Sequence, residues 1–185
     1  MGRSSKEQSE QNRILIVEKA SELFRARGVN DVSVSDVMKA AGMTIGGFYK
    51  HFDSKEALTE EAARLAFKNS CLGWETLGAG RGENLQRTIA EHYFVPKEGS
   101  TRCPMMAFGG DLMKHEHPGL TADCARGIRA LLSVFVSGDS GDREVTDDSK
   151  KLALFAAMVG ANYLSEVSGD VELSAKLRSA VLEMF

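Results

Sequence analysis

The sequence predicts an all-α protein with about nine helices, in which a three-helix helix-turn-helix domain precedes a larger helical domain. Three observations lead to this fold class. Apolar residues recur at one-turn spacing along most of the 185 residues, and two capping boxes flank a glycine turn between residues 33 and 58. In addition, no segment alternates apolar and polar residues for long enough to build a sheet.

The first helix is predicted to end at Gly28, because glycine commonly follows the last residue of a helix. The first twelve residues are polar, so we expect a frayed arm there. Apolar residues at helical spacing indicate the helix itself: Ile14, Val17, Ala20, Leu23 and Phe24.

Two short helices are predicted next. Ser33 and Asp36 have the spacing of a capping box, which starts the first short helix near Val34. Gly42 supplies the left-handed residue that ends it, and Thr44 is expected to cap the second one. The apolar spacing of the second short helix continues through Ile45, Phe48, Tyr49 and Phe52.

A second capping box, Asp53 with Glu56, is predicted to open a long helix at Ser54 that reaches about Leu77. Pro104 fits the first position of a later helix, where its missing amide hydrogen costs little. The remaining helices are expected over about 83–94, from Pro104 to before His115, and over about 120–136, 149–167 and 172–184.

The charge distribution permits a nucleic-acid partner without requiring one. Residues 1–52 hold eight Lys or Arg against six Asp or Glu, whereas the remaining 133 residues hold fifteen against twenty. The N-terminal part is therefore slightly basic in a chain of net charge -3, but it lacks the strongly basic patch of many DNA-binding proteins. The motif, and not the charge, predicts DNA binding.

Cysteine usage and hydropathy indicate the compartment. Three cysteines without regular spacing argue against a disulfide framework and are typical of a reducing environment. No apolar run approaches the roughly twenty residues that span a membrane, and the polar N-terminus does not have the pattern of a secretory signal. We therefore expect a cytoplasmic protein without a membrane partner.

The run from Gly28 to Leu58 resembles the DNA-binding domain of the TetR/AcrR family of transcriptional regulators. The resemblance covers about the first third of the chain. Beyond residue 70 only helical character and length remain similar. The motifs that carry it are Gly42-Met43-Thr44, Gly47-Phe48-Tyr49, His51-Phe52 and Ser54-Lys55-Glu56.

The resemblance implies a DNA-binding domain over residues 1–53 and a ligand-sensing and dimerisation domain over residues 54–185. In this family the last two helices usually meet those of a second copy in a four-helix interface. The implied partners are double-stranded DNA with a palindromic operator, a second copy as a homodimer and an unknown small-molecule effector. Neither a cofactor nor an enzymatic activity is expected.

Ten residues are candidates for DNA contact. Those near the start or on the exposed side of the second short helix are expected to face the groove: Thr44, Ile45, Gly46, Gly47 and Lys50. Gly46 and Gly47 weaken that helix, so we expect them to serve close approach of the backbone to DNA. By resemblance, Tyr49, His51 and Lys55 meet the DNA backbone, and Ser33 and Ser35 lie at a helix start, where a phosphate is favoured.

Candidate ligand residues are apolar or aromatic and lie on the middle helices. None of them specifies a ligand, and each also suits an ordinary core position. They are Trp74, Phe94, Met105, Met106, Phe108, Leu112, Phe135, Phe155 and Tyr163.

Cys103 suggests an alternative, a repressor that senses oxidants or electrophiles. It directly precedes Pro104 at a predicted helix start and has Arg102 beside it, and both features lower the pKa of a thiol. Some family members with a similar Cys-Pro stretch respond to such compounds. A buried structural cysteine is the competing interpretation.

Other functional classes find little support in the sequence. His115, His117, Cys103 and Cys124 lack the paired spacing of a zinc site, so no metal is expected. The run GAGRGE at 78–83 follows a helix rather than a strand, which favours a helix-ending loop over a phosphate-binding loop. An enzyme built on the cysteine and histidines lacks an identifiable triad, and a helical adaptor that uses the motif for protein contact remains an alternative.

Overall fold

A computed structural model of the chain describes residues 2–79, 85–96, 99–113, 116–138 and 148–185. Over these ranges the protein is helical and contains no strand, as predicted. None of the described helices is long and apolar enough to cross a membrane. The elements are α1 (Gly2–Arg27), α2 (Val34–Ala40), a 3₁₀ helix (Ile45–Lys50), α3 (Lys55–Gly78), α4 (Leu85–Tyr93), a 3₁₀ turn (Gly99–Thr101), α5 (Pro104–Leu112), α6 (Pro118–Ser137), α7 (Ser149–Ser168) and α8 (Val171–Leu182).

Three predicted boundaries were wrong. The expected frayed arm is helical, since α1 begins at Gly2 and its polar N-terminal part contains two Glu, two Gln and one Lys, which favour helix. Ser54 caps α3 by accepting a hydrogen bond from the Ala57 amide at 3.1 Å, in place of Asp53. Helix α6 begins at Pro118 and not near Leu120, because proline suits the first helical position as well as it suits a break.

Parts of the chain between the predicted helices lie outside the described residues. They are most of the glycine-rich run at 78–83, His115, and residues 139–147, which separate the helices predicted over about 120–136 and 149–167. Among the residues that are described, no group of three His, Cys, Asp or Glu side chains is arranged to hold a metal ion.

The chain packs as two compact units, Met1–Lys68 with Lys97–Gly127, and Asn69–Pro96 with Ile128–Phe185. The first unit buries Ile16 and Phe24 of α1, Val37 of α2, Phe48 and Leu58. The proposed functional boundary at residue 53 therefore differs from the division by packing, and it stays a prediction.

Helices α3 and α6 are fastened together within the first unit. Arg64 of α3 donates to the Asp123 carboxylate of α6 at 2.6 Å, and Arg126 binds the other oxygen. The Asp123 side chain is only 1% exposed, and the two guanidinium groups offset the cost of burying a carboxylate there. One turn further along each helix, Gly127 leaves room for the ring of Phe67.

The second unit is built around an aromatic cluster. Phe155 of α7 lies 5.6 Å from Phe135 and 6.3 Å from Trp74, measured between ring centroids. Trp74 also meets Tyr93 of α4 edge to face at 6.0 Å. Polar bonds close the unit: Gln86 donates to the Phe135 carbonyl at 2.7 Å, and Lys151 to the Val136 carbonyl at 3.0 Å.

Candidate nucleic-acid interface

The predicted capping box of α2 is confirmed. The Asp36 amide donates to the Ser33 hydroxyl at 3.1 Å, and the Ser33 amide donates to the Asp36 carboxylate at 2.8 Å. These hydrogen bonds from the Ser33 hydroxyl and amide hold the pKa of the Asp36 carboxyl below its ordinary value. The start of α2 is therefore fixed by residues that its own sequence supplies.

The turn after α2 is also as predicted. Gly42 has φ +71°, the left-handed conformation that favours glycine. Its amide donates to the Lys39 carbonyl at 3.0 Å and the Met43 amide to the Met38 carbonyl at 2.8 Å, a Schellman pair. This turn redirects the chain from α2 into the next helix.

That next helix, which we call the reading segment (Ile45–Lys50), departs from the prediction. It is a six-residue 3₁₀ helix and stops before Phe52. Two adjacent glycines lower its helical propensity, which is consistent with a short, tightly wound element. Thr44 occupies the predicted N-cap position with an extended backbone, but its side chain makes no capping hydrogen bond.

Aromatic packing holds the reading segment on the first unit. Phe48 is fully buried and stacks on Phe52 with 5.7 Å between centroids. The Arg13 guanidinium lies over the Phe52 ring, 4.8 Å from its centroid, and also pairs with Glu61 of α3. Arg13 was not identified from the sequence, because nothing local to it indicates a partner about forty residues away.

The outer side of the reading segment is accessible. Tyr49 is 74% exposed and Ile45 56% exposed, unusual values for large apolar side chains. Of the ten predicted DNA contacts, seven are exposed: Ser33, Ser35, Thr44, Ile45, Gly46, Tyr49 and Lys50. The half-buried ones are Gly47, His51 and Lys55.

The two glycines of the reading segment have no structural role in the protein itself. Neither has a positive φ, which within the described residues distinguishes them from Gly42. A Cβ on Gly46 would meet nothing within 4 Å, and one on Gly47 would make only an ordinary contact at 3.6 Å with Met38. Packing would therefore accept alanine at both positions, and the bare backbone faces outward.

Lys55 makes an internal contact that the sequence did not predict. Its ammonium donates to the backbone carbonyl of Val29, in the turn between α1 and α2, at 2.7 Å. The Val29 amide in turn donates to Asp111 of α5 at 2.8 Å. The sequence did not indicate Asp111, because this residue lies more than eighty positions from Val29 and belongs to no motif.

Cys103 occupies the N-cap position of α5, with Pro104 at the first helical position, as predicted. The Arg25 side chain donates to the Arg102 carbonyl at 3.3 Å. Burial lowers the pKa of the Arg25 guanidinium, whereas the nearby Cys103 thiolate and Glu22 carboxylate raise it. Arg25, absent from the prediction, therefore adds a second positive charge near this sulfur.

The other cysteines have a different environment. Burial, with a contribution from Glu75, raises the pKa of the Cys71 thiol to about 11. Burial and the Asp123 carboxylate raise that of Cys124 to about 11 as well. Cys103 is only half-buried, so it is the most accessible of the three thiols.

The predicted ligand residues fall into both units. Trp74, Phe94, Phe135 and Phe155 are buried in the second unit, while Tyr163 is 48% exposed on α7 and does not join them. In the first unit Phe108 is buried, and Met105, Met106 and Leu112 of α5 are half-buried. A cavity of about 250 Å³ in the first unit is lined by none of these residues; its lining combines polar side chains such as Lys55, Glu56 and Glu60 with apolar ones such as Val29 and Leu120.

Comparison with known proteins gives sequence matches over the N-terminal part of the chain. Residues 16–62 match the family model described as bacterial regulatory proteins, tetR family. The HTH-type transcriptional regulator AcrR of Shigella flexneri is 36% identical over 69 residues, which cover 37% of this chain and 32% of AcrR. The matched segment thus spans about a third of the length of that relative.

Solved structures resemble the chain over nearly its whole length. A TetR transcriptional regulator from Chloroflexus aurantiacus J-10-FL has a TM-score of 0.70 at 21% identity, covering 96% of this chain and 95% of that one. The multidrug binding protein EbrR complexed with ethidium has a TM-score of 0.64 at 19% identity, covering 95% and 98%. Residues 16–62 therefore form a domain of the bacterial regulatory protein tetR type, and the whole chain shares its fold with solved TetR-family regulators.

Proposed function

We propose that this protein is a homodimeric, DNA-binding transcriptional repressor that a small molecule releases from a palindromic operator in the cytoplasm. The observation that carries the proposal is the reading segment: an exposed 3₁₀ helix with a bare glycine backbone, held on a buried aromatic base by Phe48 and Phe52. An element with this exposure and no packing need for its glycines suits the major groove.

Base readout is assigned to the side chains that flank the two glycines. Thr44 keeps its hydroxyl free of a capping bond, Ile45 offers an apolar surface for thymine methyl groups, and Lys50 supplies a donor. Tyr49, His51, Ser33 and Ser35 are assigned to the phosphate backbone, where they fix register and not sequence. Lys55 is assigned to DNA binding through the turn that it holds.

A homodimer is supported by the outward side of α7. Ala153, Ala156, Tyr163, Leu164 and Val167 are exposed, share helical spacing and include no charged residue. An apolar stripe of this length suits an isologous contact with the same stripe of a second copy. A two-fold dimer would present two reading segments to half-sites about one DNA turn apart.

The effector is assigned to the aromatic cluster of the second unit, where Trp74, Phe135 and Phe155 meet. EbrR, which has a similar fold, is complexed with the flat aromatic cation ethidium. The proposed mechanism is a population shift: the effector favours a conformation in which the two reading segments are wrongly spaced. Helix α3 is the proposed lever, because it starts beside the reading segment and continues past residue 68 into the sequence of the second unit.

A second candidate function is the sensing of electrophiles or oxidants by Cys103. It is favoured by the arrangement at the start of α5, where a half-buried thiol at a helix N-cap has the Arg25 guanidinium nearby. Modification of that sulfur would replace effector binding as the releasing event. Replacement by Cys103→Ser would then abolish release by an electrophile and leave DNA binding intact.

An electrophoretic mobility shift with duplex DNA from the region upstream of its own gene tests the proposal. The expected result is a discrete complex that excess nonspecific DNA does not remove. An aromatic cation such as ethidium should weaken that complex, as measured by a readout that does not depend on fluorescence. If competitor DNA of any sequence abolished the complex equally well, the protein would not be a sequence-specific regulator. That result would favour the helical-adaptor alternative instead.

A further inference from the structure

The turn between α1 and α2 is held from outside the helix-turn-helix. Val29 is buried, and both of its backbone polar groups bind charged side chains. Its amide donates to the Asp111 carboxylate at 2.8 Å, and its carbonyl accepts from the Lys55 ammonium at 2.7 Å. One peptide segment is thus gripped between a residue of α5 and a residue of α3.

Asp111 also uses its second oxygen. The Asn30 side-chain amide donates to that oxygen at 3.0 Å, so the carboxylate accepts one hydrogen bond on each oxygen from two successive residues of the turn. Gly28, just before them, has φ +89° and lets the chain reverse tightly here. Hydrogen bonds to an ionised acceptor are about twice as strong as neutral ones.

Helix α5 is bound to the C-terminal end of α1 and to the turn that follows it. One of these contacts lies just before the start of α5 and the other near its end. Arg25 donates to the Arg102 carbonyl just before α5 begins, and Asp111 accepts from the turn in the last helical turn of α5. Residues 102 and 111 lie outside the segment 16–62 that matches the family model. The helix-turn-helix is therefore positioned in part by α5, a helix that lies outside the matched sequence motif.

The turn matters for DNA contact because α2 starts directly after it. Ser33 caps α2 three residues after Asn30, and α2 carries Met38, which lies beside the reading segment at Gly47. A shift of the turn would therefore move both the helix start at Ser33 and the reading segment. Neither Asp111 nor Lys55 has to touch DNA for this to change affinity.

We propose that Asp111 is a positioning residue for DNA binding, which together with Lys55 fixes the α1–α2 turn and through it the reading segment. The inference rests on the proposed function, since it concerns affinity for DNA. It adds a residue of α5 to the determinants of that affinity.

An exchange of the two side chains gives a specific test. In Asp111→Asn, the new amide oxygen accepts from the Val29 N–H and the Asn30 amide turns its oxygen toward the new NH2 group, so both hydrogen bonds lose their ionised acceptor. We expect DNA affinity to fall by about tenfold, the equivalent of one charge-assisted hydrogen bond. In the double variant Asn30→Asp with Asp111→Asn, donor and acceptor change places, so the affinity should return to within about twofold of the wild type.

The readouts separate positioning from charge and from folding. Asp111→Asn removes a negative charge, which by itself would strengthen DNA binding, and Asp31→Asn provides a matched control with the same charge change beside Asn30. The slope of log K against log salt should be unchanged in Asp111→Asn, because no phosphate contact is lost. Circular dichroism melts of the wild type and the three variants verify that each protein is folded in the titrations.

Two results would overturn the inference. One is an Asp111→Asn variant that binds the operator duplex as tightly as the wild type; the other is a double variant that stays as weak as Asp111→Asn while folded. If the wild type itself prefers no duplex, the proposed function fails, and that outcome is separate from the comparison among variants.

Discussion

The ring of Phe67 on α3 occupies the space that a side chain on Gly127 of α6 would need. Helices that approach so closely depend on the absence of a Cβ at the crossing point. One turn away, Arg64 and Asp123 add an ion pair across the same two helices. The N-terminal half of α3, proposed as the lever, is therefore tied firmly to α6.

Gly127→Ala should destabilise the protein by about 1–3 kcal/mol, because the methyl group would overlap an aromatic ring that is packed on all sides. Gly73→Ala on the exposed side of α3 is the control, since a Cβ there meets nothing within 4 Å. It should raise stability by up to about 1 kcal/mol through helix propensity. Urea titrations followed by circular dichroism measure both, and equal midpoints would refute the close crossing.

Gly46→Ala and Gly47→Ala should weaken operator binding at least tenfold without loss of stability. A Cβ finds room at both positions in the free protein, so only the approach of DNA is obstructed. Fluorescence anisotropy with a labelled duplex measures affinity, and Gly73→Ala again serves as control. Wild-type affinity in both variants would remove the glycines from the interface.

Lys50→Ala should flatten the dependence of log K on log salt by about one unit, as expected for one lost phosphate contact. Lys55 was predicted from the sequence to do the same, but its bond to the Val29 carbonyl leads to a different expectation. Lys55→Ala should lower affinity with little change of slope. Titrations at several salt concentrations distinguish a phosphate contact from a positioning role. A flatter slope for Lys55→Ala would show that Lys55 contacts a phosphate.

Leu164→Glu combined with Val167→Glu should convert a dimer to a monomer. Both side chains are exposed on the proposed interface of α7, and two like charges on each copy would face their counterparts across a two-fold axis. The control is Val95→Glu, which changes an exposed apolar residue just after α4 and should leave the dimer intact. Light scattering after size-exclusion chromatography gives the masses; a wild-type monomer would exclude the homodimer.

Alkylation should modify Cys103 well before Cys71 and Cys124. At pH 8 a thiol of pKa about 11 is ionised in roughly one molecule in a thousand, and burial limits access further. Raising the pH toward 11 should speed labelling of Cys71 and Cys124, because their thiolate fractions rise. Mass spectrometry of peptides after timed exposure to iodoacetamide reports each site, and equal rates at pH 8 would weaken the case for Cys103 as a sensor.

Local signals in the sequence were sufficient to predict much of the helix-turn-helix. The Ser33–Asp36 box and the left-handed Gly42 act within a few residues, so their spacing alone predicts α2 and the turn after it. The helical type of the reading segment was missed because 3₁₀ and α periodicities differ little over six residues. The start of α1 was missed since a polar helix has no apolar stripe to reveal it.

Contacts between distant residues could not be predicted. Val29 with Asp111 and Phe67 with Gly127 join positions many tens of residues apart, and single residues in such pairs carry no periodic signal. The same limitation applies to Lys55, whose type suits a phosphate or a carbonyl equally well. The sequence can identify the reading segment, whereas the residues that position it emerge only from the fold.

A DNase I footprint of the wild type on its own upstream region tests whether the exposed reading segment makes this chain a two-fold reader of DNA. We expect protection of two half-sites with inverted sequence, centred about one helical turn apart, and this protection should disappear with Gly46→Ala at the same protein concentration. Uniform protection of the whole fragment, or none at concentrations where the protein is folded and dimeric, would contradict this expectation.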